Sequence, residues 1–293
     1  MSQPTILITG ALGQLGQELQ VWSAAYPTYR FIFTDRDDMP IDDEATVARY
    51  FAEYQPAWCI NCAAYTAVDQ AETDQGTAYR VNAEGVRVLA AACKANNTRF
   101  IHISTDYVFD GQSPEPYKVD APTGPLNVYG ASKLKGEQYC QDLQPDSIII
   151  RTAWVYSSFG KNFVKTMMKL MAEKPSLNVV NDQVGAPTYA ADLAQGILHI
   201  ISGCDLQIIQ WQPGIYHYSN HGRISWYEFA VAIKELINSN CVVNPVPATA
   251  YPTPAKRPAF SLLDTQKIQT VFHCNIPSWK DALERCVTLL QKA

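Results

Sequence analysis

The chain has 293 residues, 47% of them hydrophobic and 17% charged, which is enough to bury a substantial core in one two-lobed domain or two small ones. A formal net charge of −5 and the lack of any Lys/Arg cluster exclude nucleic acid or an anionic lipid surface as a charge-driven partner. No stretch reads as a membrane span, and the opening "MSQPTILITGALGQLG" lacks the basic region and cleavage pattern of a signal peptide, so a cytoplasmic location is expected.

In chain order, "TILITG" predicts a short buried strand and "QLGQELQVWSAA" a helix with Leu15, Leu19 and Trp22 on one stripe. Gly10, Gly13 and Gly16 lie between them. Glycines at that junction permit a tight turn and let backbone amides approach a pyrophosphate, whose charge the helix amino end favours. "RFIFTD" predicts the next strand, ending at Asp35, at the distance expected of a ribose-binding acid. Asp35 favours the free ribose hydroxyls of NADH, whereas Arg36 beside it suits the extra phosphate of NADPH, so both cofactors stay open.

"DEATVARYFAEY" predicts a helix with Val47, Tyr50, Phe51 and Tyr54 inward, and "AWCINCAA" a third strand. Cys59 and Cys62, three apart in a strand, point to opposite faces and read as buried small hydrophobes rather than a redox pair. "GTAYRVNAEGVRVLAAACKAN" predicts a long helix, "RFIHIST" a fourth strand and "DSIIIRTAWVY" a fifth. Near-continuous apolar strands alternating with helices imply a doubly wound, Rossmann-like parallel sheet of the α/β class.

The fourth strand delivers Thr105 and Asp106 to its carboxyl end, where ligands of open α/β sheets bind. Thr105 can hydrogen-bond a reacting oxygen or serve as a turn or helix cap. Next comes "PLNVYGASKLKGEQ", which sets Tyr129 and Lys133 four apart on one helix face. With a nicotinamide bound nearby, reduction of a carbonyl needs a proton for the developing alkoxide. A phenol whose pKa a neighbouring ammonium draws down from about 10 would supply it.

Beyond about residue 151 the alternation loosens into helices separated by proline-bearing loops. Residues 1–150 are expected to form the dinucleotide-binding domain, joined by part of 176–204. Residues 151–293 are expected to form mostly a smaller substrate-binding lobe that covers the strands' carboxyl ends. His217 and His221 in "HYSNHG" lack the acid of a zinc-protease helix, so no metal is assigned. Arg257 sits in the proline-stiffened loop "YPTPAKRPAF", where a guanidinium fork suits a phosphate.

Over nearly its full length, through "NCAAYTAVDQAE", "STDYVFDG", "RTAWVYSSFGKNFVKTM", "NDQVGAPTYAADLA" and "RPAFSLLDTQKI", the chain resembles the dTDP-4-dehydrorhamnose reductase family of the extended short-chain dehydrogenase/reductase superfamily. The glycine turn and Tyr/Lys pair mark the superfamily; "RTAWVY", "NDQVGAPT" and "RPAFSLLD" are far more specific. The resemblance implies NAD(P)H-dependent reduction of the C4 ketone of dTDP-4-dehydro-L-rhamnose. It implies Tyr129 as proton donor, Lys133 as its tuner and ribose contact, and Thr105 as the group polarising the substrate. Gly13, Gln14 and Leu15 would hold the pyrophosphate, and Ala63, Ala64 and Tyr65 would line the cofactor. Val68, Asp106 and Trp154 would meet the deoxysugar, and Asn162 and Arg257 the diphosphate. Ile41 keeps an apolar adenine contact, but Pro40 stands where the family's Asp falls, so either Asp42 stands in or the cofactor preference differs. Family resemblance alone brings magnesium, and a choice of monomer or homodimer.

Two rival readings share the fold: a nucleotide-sugar epimerase or dehydratase that cycles its cofactor internally, and a non-catalytic regulatory subunit of the methionine adenosyltransferase type. The run "STDYVF" offers Asp106 but no adjacent acidic pair, against a dehydratase. Retention of Thr105, Tyr129, Lys133 and Trp154 together speaks against lost catalysis.

Overall fold

Alternate residues of each early strand sort to opposite sides of one sheet. In the computed structural model, which describes residues 3–292, strands β1 (Thr5–Thr9), β2 (Arg30–Thr34) and β3 (Trp58–Asn61) are separated by helices α1 (Gln14–Ser23) and α2 (Glu44–Tyr54). Asp43 caps α2 by accepting from Ala45 N and Thr46 N, which fixes where that helix starts. After β3 come α3 (Val68–Ala71), α4 (Gln75–Tyr79), a π-helical turn over Arg80–Glu84, and α5 (Gly85–Ala95). The single long helix expected there is therefore interrupted by a π turn. Strand β4 (Arg99–Thr105), helix α6 (Val128–Leu143) and strand β5 (Ile148–Thr152) complete the alternating half.

The second half continues with β6 (Val155–Tyr156), α7 (Phe163–Glu173), β7 (Ser176–Val180), β8 (Val184–Gly185), β9 (Thr188–Tyr189) and α8 (Ala190–Asp205). It closes with β10 (Gly214–Tyr218), β11 (Ile224–Ser225), α9 (Trp226–Leu236), β12 (Val242–Val246), α10 (Gln266–Phe272) and α11 (Trp279–Lys292). Ser225 and Glu228 form a reciprocal capping box that starts α9.

The main sheet has six parallel strands in the order β10-β5-β4-β3-β1-β2. Ile6, Ile8, Ile60, Ile101, Ile148 and Ile150 face α1, α8 and α10, while Leu7, Cys59, Phe100 and Ile149 face α2 and α5. Cys59 and Cys62 fall on opposite faces, and all eight cysteines are free. The chain runs outward to β2 and then crosses to β3 on the other side of β1, so the strand order reverses between β1 and β3. A crevice opens at the carboxyl ends there.

The chain after residue 151 does not stay in one lobe. Strand β10 extends the main sheet beside β5, and α8 and α10 pack on the same apolar face as α1. Of 176–204, only the α8 part joins the sheet lobe, because β7 pairs with β12 in a small separate sheet. The smaller core collects α7, α9 and α11 around Phe229, Ile233, Met167 and Leu283.

Candidate active site

The glycine turn is closed from three sides. Gly10 adopts φ +66°, and a Cβ placed there would stand 2.6 Å from Ala63 N, so the β1 turn and the loop after β3 touch backbone to backbone. Asp35 reaches across from the end of β2 and accepts from Leu12 N (2.8 Å) and Arg36 N (2.7 Å). Gly13 stands at the N-cap of α1 with no side chain capping it, which leaves the first amides of that helix for an outside acceptor. Uncapped amides, the tight turn and a carboxylate at the end of β2 are the donor and acceptor set a dinucleotide requires, so the residues fit the group.

Gln14 begins α1 and faces the smaller lobe. Its Nε2 donates to Val155 O (3.4 Å), and its Oε1 accepts from Asn162 Nδ2 (2.9 Å). Arg36 is largely exposed and reaches only Asp37, at 3.7 Å. Ile41 is buried in the core and packs flat over Gly85, so most of its apolar surface is already covered by the protein itself. Asp42, the expected stand-in for the polar adenine contact, accepts from Arg80 (2.9 Å).

The loop after β3 carries Ala63, Ala64 and Tyr65 over the crevice, and Asn82 from the π turn holds it there. Asn82 Oδ1 accepts from Tyr65 N (2.8 Å), while its Nδ2 donates to Tyr65 O (3.0 Å) and Ser132 Oγ (3.0 Å). One fully buried amide thus fixes both the loop and helix α6. Only the polar Asn inside an apolar helical run hinted at this role.

Helix α6 starts under equally firm control. Asn127 Oδ1 accepts from Gly130 N (2.8 Å), its Nδ2 donates to Lys256 O (2.8 Å), and Glu72 takes Val128 N (2.8 Å). Gly130 abuts the Tyr107 carbonyl with no room for a side chain. The Tyr129 ring therefore lands edge-on to Tyr107, with centroids 5.5 Å apart. Burial pushes the Tyr129 phenol up to about 12; the Thr105 hydroxyl opposes that rise and Asp106 adds to it.

Of the two roles left open for it, Thr105 takes that of a turn cap. Its Oγ1 accepts from Tyr107 N (3.2 Å), capping the short 3₁₀ turn Asp106–Val108, and donates to Asp106 Oδ1 (3.0 Å). Asp106 is buried, its Oδ2 has no partner, and burial raises its carboxyl to about 6. Lys133 is 2% exposed and donates to Ile103 O (2.6 Å), with the His102 ring as its other neighbour at 3.5 Å. Burial lowers its ammonium to about 8. The expectation that Lys133 draws Tyr129 downward is corrected for the chain by itself: the ammonium is tied to the β4 backbone, and burial dominates the phenol.

Trp154 holds φ +49°, a left-handed conformation a bulky residue adopts only under constraint. Its indole stacks on Trp226 at 3.6 Å and packs against Gly185. Trp226 in turn lines a cavity of about 460 Å³ with Tyr107, Phe163, Leu177, Tyr251 and Arg257. This cavity lies between the smaller lobe and the 3₁₀ turn that carries Asp106.

The two residues expected at the diphosphate already hold partners within the protein. Asn162 Nδ2 donates to Gln14 Oε1, Ser157 O and Phe159 O, and its Oδ1 caps α7 by accepting from Lys165 N, so its polar capacity is spent inside the protein. Arg257 lines the cavity, but its fork pairs with Asp69, NH1 at 3.0 Å and NH2 at 2.8 Å. Val68 opens α3 directly before Asp69. Among the described residues, no three His, Cys, Asp or Glu side chains come together as metal ligands.

The family model described as the RmlD substrate binding domain matches residues 4–292. The chain belongs to this family, that of dTDP-4-dehydrorhamnose reductase. The dTDP-4-dehydrorhamnose reductase of Aggregatibacter actinomycetemcomitans is 41% identical over 288 residues, 95% of this chain and 97% of that one. Among solved structures, a dTDP-4-dehydrorhamnose reductase from Clostridium acetobutylicum superposes with a TM-score of 0.92 at 40% identity, covering 98% of this chain and 99% of that one. The Bacillus anthracis reductase, solved in complex with NADP, matches equally well, with a TM-score of 0.92, 38% identity and the same coverage of each chain.

Proposed function

We infer that the chain catalyses the NAD(P)H-dependent reduction of the C4 ketone of dTDP-4-dehydro-L-rhamnose to dTDP-L-rhamnose, the final step of dTDP-rhamnose biosynthesis. The observation that carries this reading is a half-buried phenol set beside Thr105, in a fold whose first turn leaves the start of α1 uncapped. Bound NAD(P)H supplies the hydride. Gln14 and Leu15 offer backbone amides to its pyrophosphate where Gly13, its own N–H closed onto Gly10 O, leaves the turn open, Asp35 and Arg36 lie on the ribose side, and Ala63, Ala64 and Tyr65 form the opposite wall.

Tyr129 donates the proton to the oxygen that gains charge at C4. A phenol near 12 is fully protonated at working pH, which suits a donor in the direction of reduction. The Thr105 hydroxyl keeps one lone pair on Tyr107 N and rotates its proton from Asp106 to the ketone oxygen. Lys133 brings positive charge to the same helix face and supports the phenolate left behind. Val68, Asp106 and Trp154 bound the sugar, and the cavity with Trp226 and Tyr251 takes the nucleotide portion of the substrate. Arg257, oriented by Asp69, presents its remaining edge to the diphosphate.

We further propose that the sheet lobe comprises the first half with α8, β10 and α10, and that the rest forms the substrate lobe. Among the described residues no helix is long and apolar enough to cross a membrane, and a cytoplasmic setting accords with this reading. The test is the oxidation of NADPH and NADH with dTDP-4-dehydro-L-rhamnose generated in place and the product weighed. Stoichiometric oxidation with a product two mass units heavier is expected. Tight cofactor binding without oxidation would overturn the reading.

A further inference from the structure

A file of buried polar side chains runs from β1 to α6, and no step above uses any of its members but Lys133. Thr9, Asn61, His102 and Lys133 are each at most 2% exposed. Thr9 Oγ1 donates to Asn61 Oδ1 (2.6 Å), Asn61 Nδ2 meets His102 Nδ1 (3.1 Å), and His102 Nε2 faces Lys133 Nζ (3.5 Å).

The direction of every bond in the file can be read. The backbone N–H of Ala63, which can only donate, points at Asn61 Oδ1 (3.1 Å), so that atom is the carbonyl oxygen and the neighbouring Nδ2 is the donor. His102 Nδ1 must then accept. A neutral imidazole that accepts at Nδ1 carries its proton at Nε2. Burial holds the His102 ring well below its ordinary pKa, with the nearby Lys133 acting in the same direction, so the ring is neutral. An N–H therefore points at the lysine nitrogen. An amine can accept from it while donating to Ile103 O; an ammonium, which has no lone pair, cannot.

We propose that His102 is a positioning residue: with its tautomer fixed by Asn61, it aims an N–H at Lys133 Nζ, orients that side chain and disfavours its charged form. The other titratable groups facing Lys133 are Glu137 and Cys140 on α6 and Cys62 just beyond β3, and all three favour the charge. Glu137 is itself engaged by Arg151 at 2.7 Å. Burial and His102 thus act against Glu137, which leaves Lys133 able to change charge near working pH.

The consequence for turnover rests on the role of Lys133 in the reading above; the tautomer and the titration do not. In the wild-type protein without cofactor, the long-range ¹⁵N–¹H spectrum of His102 should show a bare Nδ1 and a protonated Nε2; the opposite tautomer or a doubly protonated ring overturns the proposal. For the second test, Lys133 is titrated through its ¹³Cε signal in wild type, His102→Gln and His102→Phe. Glutamine can present an oxygen to the ammonium, so His102→Gln should raise the proton affinity of Lys133 about tenfold, while phenylalanine, lacking an acceptor, should not raise it. The alkaline limb of kcat/KM should move with the titration. An unmoved titration in His102→Gln overturns the proposal. A titration that moves without the limb upholds the assignment of His102 and refutes the role of Lys133 in turnover.

Discussion

Lys133→Met should weaken catalysis and strengthen the fold, and the second effect should depend on pH. The ammonium is buried and titrates near 8 in the folded chain, against 10.5 for an unhindered lysine. The unfolded chain therefore holds a proton that the folded chain releases between these values, so unfolding takes up a proton there and stability rises with pH across that window. Near pH 7 both states are protonated and the full cost of burial, roughly 3 kcal/mol, falls on the fold; near pH 10 about 1 kcal/mol remains. Methionine removes that cost but leaves Ile103 O without its donor, a loss of about 1 kcal/mol. The variant should thus be more stable than wild type by about 2 kcal/mol near pH 7 and about equal to it near pH 10. Urea unfolding of the cofactor-free proteins at both pH values measures this directly. Equal destabilisation at both would refute the claim that Lys133 is held below its ordinary pKa by burial. In the same variant, kcat/KM should fall at least ~10²-fold.

Tyr129→Phe should retain cofactor binding and lose at least ~10²-fold in turnover, the lower range for removing a general acid; near-normal turnover would dismiss Tyr129 as the donor. Glu137→Gln removes the negative charge buried against Arg151, and should cost about 3–5 kcal/mol in denaturant unfolding. The double replacement Glu137→Met with Arg151→Met should recover most of that loss, and equal losses in both proteins would count against an uncompensated charge as the cause. Asn162→Ala removes both the α7 cap and the clamp on Gln14, so it should cost about 1 kcal/mol and raise the KM for the cofactor more than that for the sugar nucleotide. A selective rise for the sugar nucleotide would restore Asn162 as a diphosphate contact.

The sheet lobe was legible because its signals are local. Isoleucines at alternate positions, glycines between strand and helix, and an acid at the end of the second strand each mean the same thing in any surroundings. The placement of β10 was not legible, because "GIYHY" is short and lies far from β5, the strand it joins. Its pairing is decided by the apolar face that α8 and α10 build together, which no local window contains. The π turn escaped for a related reason: helical periodicity runs through it, and its effect is to turn Asn82 toward Tyr65 and Ser132.

Four of the expected site residues, Asn162, Arg257, Asp42 and Lys133, already hold partners inside the protein. Each makes a bond within the protein: Asn162 to Gln14, Arg257 to Asp69, Asp42 to Arg80 and Lys133 to Ile103. For the buried Lys133 the bond matters most, because a buried polar group without a partner costs more than a made bond returns. Among the expected site residues Asp106 differs, with Oδ2 buried and without a hydrogen-bond partner. Intramolecular bonding thus leaves one acceptor open beside Thr105, on the carboxylate that Thr105 itself engages.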